Sequence, residues 1–132
     1  MKIIKKEICI IGTGIAGCMA ALNLAQNYAI TLICQDSLSD NATSWAQGGI
    51  AISTNDQEIN KHIQDTLNVG QKLNTSSNVE NMVKKSAKIL SFLNHLGVDF
   101  DKDANGFKKA LEAGHSEPRV FHHKDKTGKE IK

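Results

Sequence analysis

The stretch "GTGIAG", residues 12–17, spells G-x-G-x-x-G, a spacing whose chemistry is the holding of a pyrophosphate. Gly12 permits a tight turn, Gly14 lets backbone come close to the phosphates, and Gly17 allows a helix to lie close on a strand. The helix that follows offers free N–H groups and the positive end of its dipole to the anion. Versions that bind NAD place an acidic residue about 20 positions further on, against the ribose. Here the second strand ends in Cys34–Gln35, and the acid, Asp36, comes late enough to read as a surface turn residue. Gln35 can hydrogen-bond a ribose or adenine edge without the usual NAD preference. A plain NAD dehydrogenase is therefore disfavoured.

Two other stretches bear on chemistry. "DKDANGFKKALE" (101–112) satisfies the calcium-loop pattern through Asp101, Asp103, Asn105, Gly106 and Glu112. Its flanks disagree, because the incoming helix ends at Gly97 and Gly114 and Pro118 interrupt any outgoing one. Lys108 and Lys109 also put positive charge in the loop, so "DANG" (103–106) is read as a hairpin turn. "ATSWAQGGIA" (42–51) holds no nucleophile, acid, base or metal ligand, only Trp45, Gln47, the paired Gly48 and Gly49, and small residues. It is either a loop with Trp45 as a core plug or a wall for something large and flat. His62 and His95 fall on helices as surface or internally satisfied histidines, and no His/Cys cluster has zinc spacing.

The elements that must position these residues begin with "EICIIG" (7–12), an apolar run read as a parallel strand buried on both faces. "IAGCMAALNLAQN" (15–27) reads as a helix and "AITLIC" (29–34) as a second strand, which makes a βαβ unit around the glycines. Ile59, Ile63 and Leu67 then mark one face of an amphipathic helix over 58–70. "SNVE" (77–80) fits a capping box. It opens a second helical stripe through Val79, Met82, Val83, Ser86, Leu90 and Leu93, closed by Gly97. "VDFD" (98–101) alternates like a half-buried strand, "FKKALE" is a candidate returning strand, and the last twenty residues read as polar. The fold class is α/β, and the two parallel strands found are too few for a doubly wound sheet. The chain is therefore expected to be the N-terminal piece of something longer.

At 132 residues with 40% apolar and 23% charged residues, the composition suits one folded domain. A net charge of +2, with lysines scattered among acids and few aromatics, argues against nucleic-acid binding. Cys9, Cys18 and Cys34 are odd in number and lack C-x-x-C spacing, which predicts buried free thiols in a reducing cytoplasm. The four-residue apolar run "ICII" is too short for a secretion signal, and nothing approaches the ~18 residues of a membrane span. The expected location is cytoplasmic, with no membrane anchor.

Taken with "GTGIAG", the segments "TSWAQGGIA" and "EAGHSEPRVFHHKDKTG" (112–128) resemble the L-aspartate oxidases, flavoproteins of the succinate dehydrogenase and fumarate reductase superfamily. The resemblance runs along essentially the whole chain and corresponds to the first quarter or so of a family member. It implies a Rossmann-like FAD-binding βαβ unit followed by helices and a small hairpin, with 1–132 an incomplete piece of a larger FAD-binding domain. The rest of that domain and the substrate-capping domain would lie elsewhere.

Carried over by residue, the resemblance implies that the Gly12–Gly17 loop, with Thr13, Gly14, Ile15 and Ala16, lines the FAD pyrophosphate. Gln35 falls where relatives often have lysine near the adenosine, and Cys34 where many have serine. Ala42, Thr43, Ser44, Trp45, Ala46, Gln47, Gly48 and Gly49 would wrap the flavin, with Trp45 covering a face. Ala42 occupies the place of the histidine that bonds covalently to FAD in the membrane-associated relatives, which implies noncovalent FAD. Glu112 stands where those relatives usually carry an aromatic, and its carboxylate suits the ammonium of an amino-acid substrate. Glu112 alone also reads as a surface acid. Ala113 departs from the family's usual glycine and bears on the local turn.

His115, Ser116, Arg119, His122, Asp125 and Thr127 match family positions, either as direct contacts or as a polar loop near the cofactor. The implied reaction is hydride transfer from L-aspartate to flavin, giving iminoaspartate, the first step of NAD biosynthesis, with oxygen or fumarate as electron acceptor. The arginine that moves the proton in family members would lie beyond Lys132, so no catalytic base is named, and the piece by itself is expected to be inactive. A succinate or fumarate flavoprotein, a calcium module and a non-functional remnant are the alternatives.

Overall fold

The computed structural model describes residues 3, 5–35 and 37–132. They form two compact units, one of residues 1–47 with 128–132 and one of residues 48–127.

The first unit is built on β1 (Ile8–Ile11), α1 (Ile15–Leu24) and β2 (Ile30–Ile33), with the strands parallel and Ile8 opposite Ile30. A crossover helix is what parallel neighbours require, and the Ala- and Leu-rich α1 supplies it. The helix stops at Leu24, three residues short of the expected Asn27, where the chain enters a turn. The expectation that β1 is buried on both faces is wrong. Its residues alternate between half-buried and exposed, and Ile11 is 86% exposed. The sheet has two strands among the described residues, so only the side under α1 is covered. The same geometry corrects the reading of the cysteines: Cys9 is exposed, Cys18 and Cys34 are half-buried, and all are free.

Residues 42–45, expected as loop, form the short helix α2 (Ala42–Trp45). Asn41 is its N-cap, and its side-chain oxygen accepts from the Ser44 N–H at 3.1 Å.

In the second unit, β3 (Ile50–Ala51) precedes α3 (Asp56–Val69), α4 (Ser76–Lys84) and α5 (Ser86–His95). Ile63 is buried on α3 with Ile59 and Leu67 beside it, against Val79 and Val83 of α4. The 58–70 face is thus the real core face, although the helix begins two residues earlier behind the Asn55 cap. The stripe from Val79 to Leu93 is not one helix. It breaks at Lys85, because the Ser86 hydroxyl accepts from the Ser53 N–H at 3.0 Å and turns back toward the Val83 carbonyl at 2.7 Å. The capping box fails as well: α4 starts at Ser76, and the Glu80 carboxylate reaches forward to Lys84 at 3.0 Å instead of back.

Gly97 does close α5. At φ +91° it bonds Asn94 while Val98 N–H reaches the Leu93 carbonyl at 3.0 Å, a Schellman ending. Val98 and Phe100 are buried as the alternation predicts, but the strands here are β4 (Lys102–Asp103) and β5 (Gly106–Phe107), a hairpin turned at "DANG". "FKKALE" returns as strand at Phe107, and its Ala110 makes an isolated antiparallel bridge to Val120. The tail read as polar hides β6 (Val120–Phe121), buried and antiparallel to β3, and is followed by α6 (Thr127–Ile131). Phe100, Phe107 and Phe121 meet edge to face, with ring centres 5.9–6.2 Å apart. No helix of the described residues is long and apolar enough to cross a membrane.

Candidate cofactor and substrate sites

The glycine loop folds as its spacing requires. Gly12 takes φ +104°, a region open to glycine, and its N–H donates to the Ile33 carbonyl at 2.8 Å. A Cβ on Gly17 would lie 2.0 Å from the Gly12 carbonyl oxygen, so the third glycine sets how closely α1 lies on β1. Gly14 is the N-cap of α1 and offers no side-chain cap. The cap comes from 28 residues away, where the Thr43 hydroxyl accepts from the Ile15 N–H at 3.1 Å. The next N–H groups, those of Ala16 and Gly17, have no intrahelical acceptor at a helix start and remain for an anion.

Asn41 ties the loop to α2. Its amide nitrogen donates to the Thr13 carbonyl at 3.2 Å and to that of Leu38 at 3.1 Å. Asn41 was not legible as a site residue, though an Asn directly before a run of small polar residues is a helix-start signal. Together Gly12, Thr13, Gly14, Cys34, Gln35, Asn41, Ala42 and Thr43 line an open cleft of about 600 Å³. A glycine cradle, an unfilled helix start and Gln35 at the strand end suit a diphosphate joined to a nucleoside. Asp36 lies outside the described residues.

The residues after Thr43 separate. Ser44 and Trp45 line a different cleft of about 480 Å³ with Leu38, Ser39, Lys129 and Lys132. Trp45 is 73% exposed and its indole N–H donates to Asp40 at 3.0 Å, so it is no core plug. Ala46 and Gln47 are exposed, and the Ala46 carbonyl accepts from the Gly128 N–H at 3.0 Å. A Cβ on Gly48 would meet nothing within 4 Å. Gly49 is crowded: a Cβ there would meet the Phe121 carbonyl oxygen at 2.5 Å and His122 Nε2 at 2.7 Å.

In the second unit, Glu112 accepts a hydrogen bond from His122 Nε2 at 2.7 Å, and its side chain is 46% exposed. Gly114, at φ +84°, carries the unusual backbone of this turn, and Ala113 has no positive φ. The alanine is therefore accommodated.

His115, Ser116 and Arg119 gather elsewhere, on Asp65 of α3. The Asp65 carboxylate accepts from the Ser116 N–H and hydroxyl, each at 2.8 Å, and from Arg119 at 2.5 Å. Burial alone would raise the Asp65 carboxyl, but the Ser116 N–H, Arg119 and the Ser116 hydroxyl bring it down to about 2. Arg119 is fully buried, and a guanidinium only donates, so His115 Nδ1, 3.0 Å away, is the acceptor. His115 in turn stands edge to face with His62, ring centres 5.6 Å apart, and His62 Nδ1 is 3.0 Å from the Ser53 hydroxyl. His62 is thus a satisfied, buried histidine, whose pKa is lowered by burial and by the Arg119 charge. His95 is exposed. Asp65 went unread in the sequence; its signal was its place three residues after His62, on the same edge of the helix.

The calcium pattern is spent on other bonds. Asp103 accepts from the Asn105 N–H at 2.7 Å, Asp101 from the Lys124 N–H at 3.0 Å, and Glu112 faces His122. A hairpin replaces the helix–loop–helix, and no three metal-ligating side chains converge among the described residues. Asp125 is exposed and lines a cleft with His122, while the buried Thr127 hydroxyl accepts from the His123 N–H at 3.1 Å.

Residues 7–132 match the family model described as FAD binding domain. Similar curated proteins include the L-aspartate oxidase of Clostridium perfringens, 35% identical over 125 residues, and that of Nostoc sp., 37% identical over 127. Both alignments cover 95% of this chain, which spans 28% and 22% of those proteins. Among solved structures, Escherichia coli quinol fumarate reductase superposes with a TM-score of 0.92 at 26% identity, over 99% of this chain and 23% of that one. The Mycobacterium smegmatis Sdh1 complex gives 0.89 at 25% identity, over 96% and 22%.

Proposed function

Because the chain belongs to the FAD binding domain family, with FAD as its cofactor, we propose that it is the N-terminal, FAD-binding part of an L-aspartate oxidase. The observation that carries this reading is the 35–37% identity to L-aspartate oxidases along 95% of the chain. The cradle at Gly12–Gly17 and the cleft before it agree with it. The activity belongs to the whole protein, of which relatives at this similarity are about four times as long.

In this reading the FAD diphosphate lies against Gly12, Thr13 and Gly14 at the start of α1, with Gln35 toward the ribose or adenine in a Rossmann-like arrangement. Ala42 lines the same cleft and carries no group able to bond a flavin, so the cofactor is held noncovalently. Thr43 lines that cleft beside Ala42. When bound, the flavin supplies the hydride acceptor. The protein's own part is placement: Glu112 keeps an exposed carboxylate that meets the ammonium of L-aspartate. The product is iminoaspartate, the first step of NAD biosynthesis, and oxygen or fumarate takes the electrons onward. The proposed location is the cytoplasm.

The 26% identity and TM-score of 0.92 with quinol fumarate reductase favour a second reading, a flavoprotein acting on succinate or fumarate. Ala42 and Glu112 argue against it. The deciding experiment expresses the longest open frame containing this chain and follows its flavin absorption without oxygen. L-Aspartate is expected to bleach it and succinate is not. A colourless protein, or bleaching by succinate alone, overturns the proposal.

A further inference from the structure

We propose that His122 is the positioning residue for Glu112. The inference rests on the reading of Glu112 as the group that meets the substrate ammonium.

Glu112 belongs to no helix or strand, and nearly half of its side chain is exposed. Left alone, such a carboxylate samples several rotamers and must be ordered each time an ammonium binds. His122 prevents this. Its Nε2 lies 2.7 Å from Glu112 Oε1, and since a carboxylate only accepts, the imidazole donates. One carboxylate oxygen is held, and the other has no partner among the described residues.

His122 is itself anchored. It follows β6 directly, and its carbonyl accepts from the Asp101 N–H at 2.7 Å. Gly49 directly precedes β3, the strand paired with β6, and a Cβ there would meet the Phe121 carbonyl oxygen and a Val120 methyl at 2.5 Å as well as His122 Nε2 at 2.7 Å. The ring therefore fits between the Gly49 backbone on one side and the carboxylate on the other.

The test uses the full-length protein, with kcat and KM for L-aspartate and the inhibition constant for succinate, which lacks the ammonium. His122→Phe fills the ring's place without the donor. It is expected to raise the L-aspartate KM about tenfold or more, with kcat within about twofold and succinate binding little changed. His122→Gln keeps a donor and is expected to recover most of the loss. Bound FAD, read from the visible spectrum, reports whether each variant is folded. If His122→Phe retains no FAD, His122→Leu, which also lacks the donor, takes its place. An unchanged KM in the variant without the donor, or an equal loss of succinate binding, overturns the proposal. An unmutated protein that does not oxidise L-aspartate overturns the functional reading beneath it, and is seen before any variant is made.

Discussion

The hydroxyl of Thr43 caps α1 from 28 residues away, accepting the Ile15 N–H at 3.1 Å while Gly14, the N-cap by position, has no side chain to do so. The division of labour follows from the cleft. A capping side chain at position 14 would occupy the space where an anion meets the helix start, so the cap is delivered from the side.

Thr43→Val keeps the shape and removes the acceptor. It is expected to cost about 1 kcal/mol, read as a lower urea midpoint, with Thr43→Ser restoring most of it. An unchanged midpoint in the valine variant would show that the cap contributes nothing.

Gly17→Ala and Gly14→Ala should part company. The first drives a methyl to 2.0 Å from a backbone oxygen, so α1 must lift off β1, at a cost of roughly 1–3 kcal/mol or more. The second meets only the Thr43 hydroxyl, at 3.3 Å. Gly14→Ala is expected to keep most of the stability and to lose FAD affinity instead. Thermal melts and flavin titration of the full-length variants separate the two effects, and equal melting temperatures would contradict the packing argument.

Asp65 and Glu58 give the protein an acid limit. Both carboxyls titrate near 2 when folded, below ordinary values of 3.8 and 4.5. For Glu58, burial raises the carboxyl, but the Thr54 N–H and hydroxyl and Lys109 outweigh it. Folded pKa values below the unfolded ones mean stability that is present above about pH 4 and lost as pH falls toward 2. Asp65→Asn is expected to flatten part of that loss, leaving the Glu58 share. It is also expected to lower stability near neutral pH by about 3–5 kcal/mol, since the fully buried Arg119 then lacks its counter-charge. Urea midpoints across the range test both statements.

His62 works in a neighbouring window. Its folded pKa is lowered from 6.5, so the unfolded chain takes up its proton first as pH falls. Stability is therefore expected to decline as pH drops below about 6.5, and His62→Gln to remove that slope while keeping a partner for Ser53. A slope between about pH 7 and 5 that survives the substitution would place its origin elsewhere.

Much of this was legible from local pattern. The glycine spacing announced the strand, turn and helix, because a φ of +104° and a helix lying on a strand admit few residue types. Ile59, Ile63 and Leu67 announced the face of α3, and Gly97 the end of α5, since both are decided within a few turns of one helix. What stayed hidden depends on partners far along the chain. The break at Lys85 exists because Ser86 bonds Ser53, 33 residues back. β6 is invisible in a polar tail because a two-residue strand has no periodicity, and only β3 makes it one.

The sequence by itself determined the family, the glycine turn before α1 and the absence of a nucleophile at Ala42, because residue type alone settles whether a group can bend, approach or react. Tertiary structure alone decided the roles of the polar residues between 112 and 122. Glu112 went to His122, while His115, Ser116 and Arg119 went to Asp65. Identical local sequence would allow either partner. Which one a carboxylate or guanidinium meets is set by where strands and helices bring distant charges together, and a buried charge must find one.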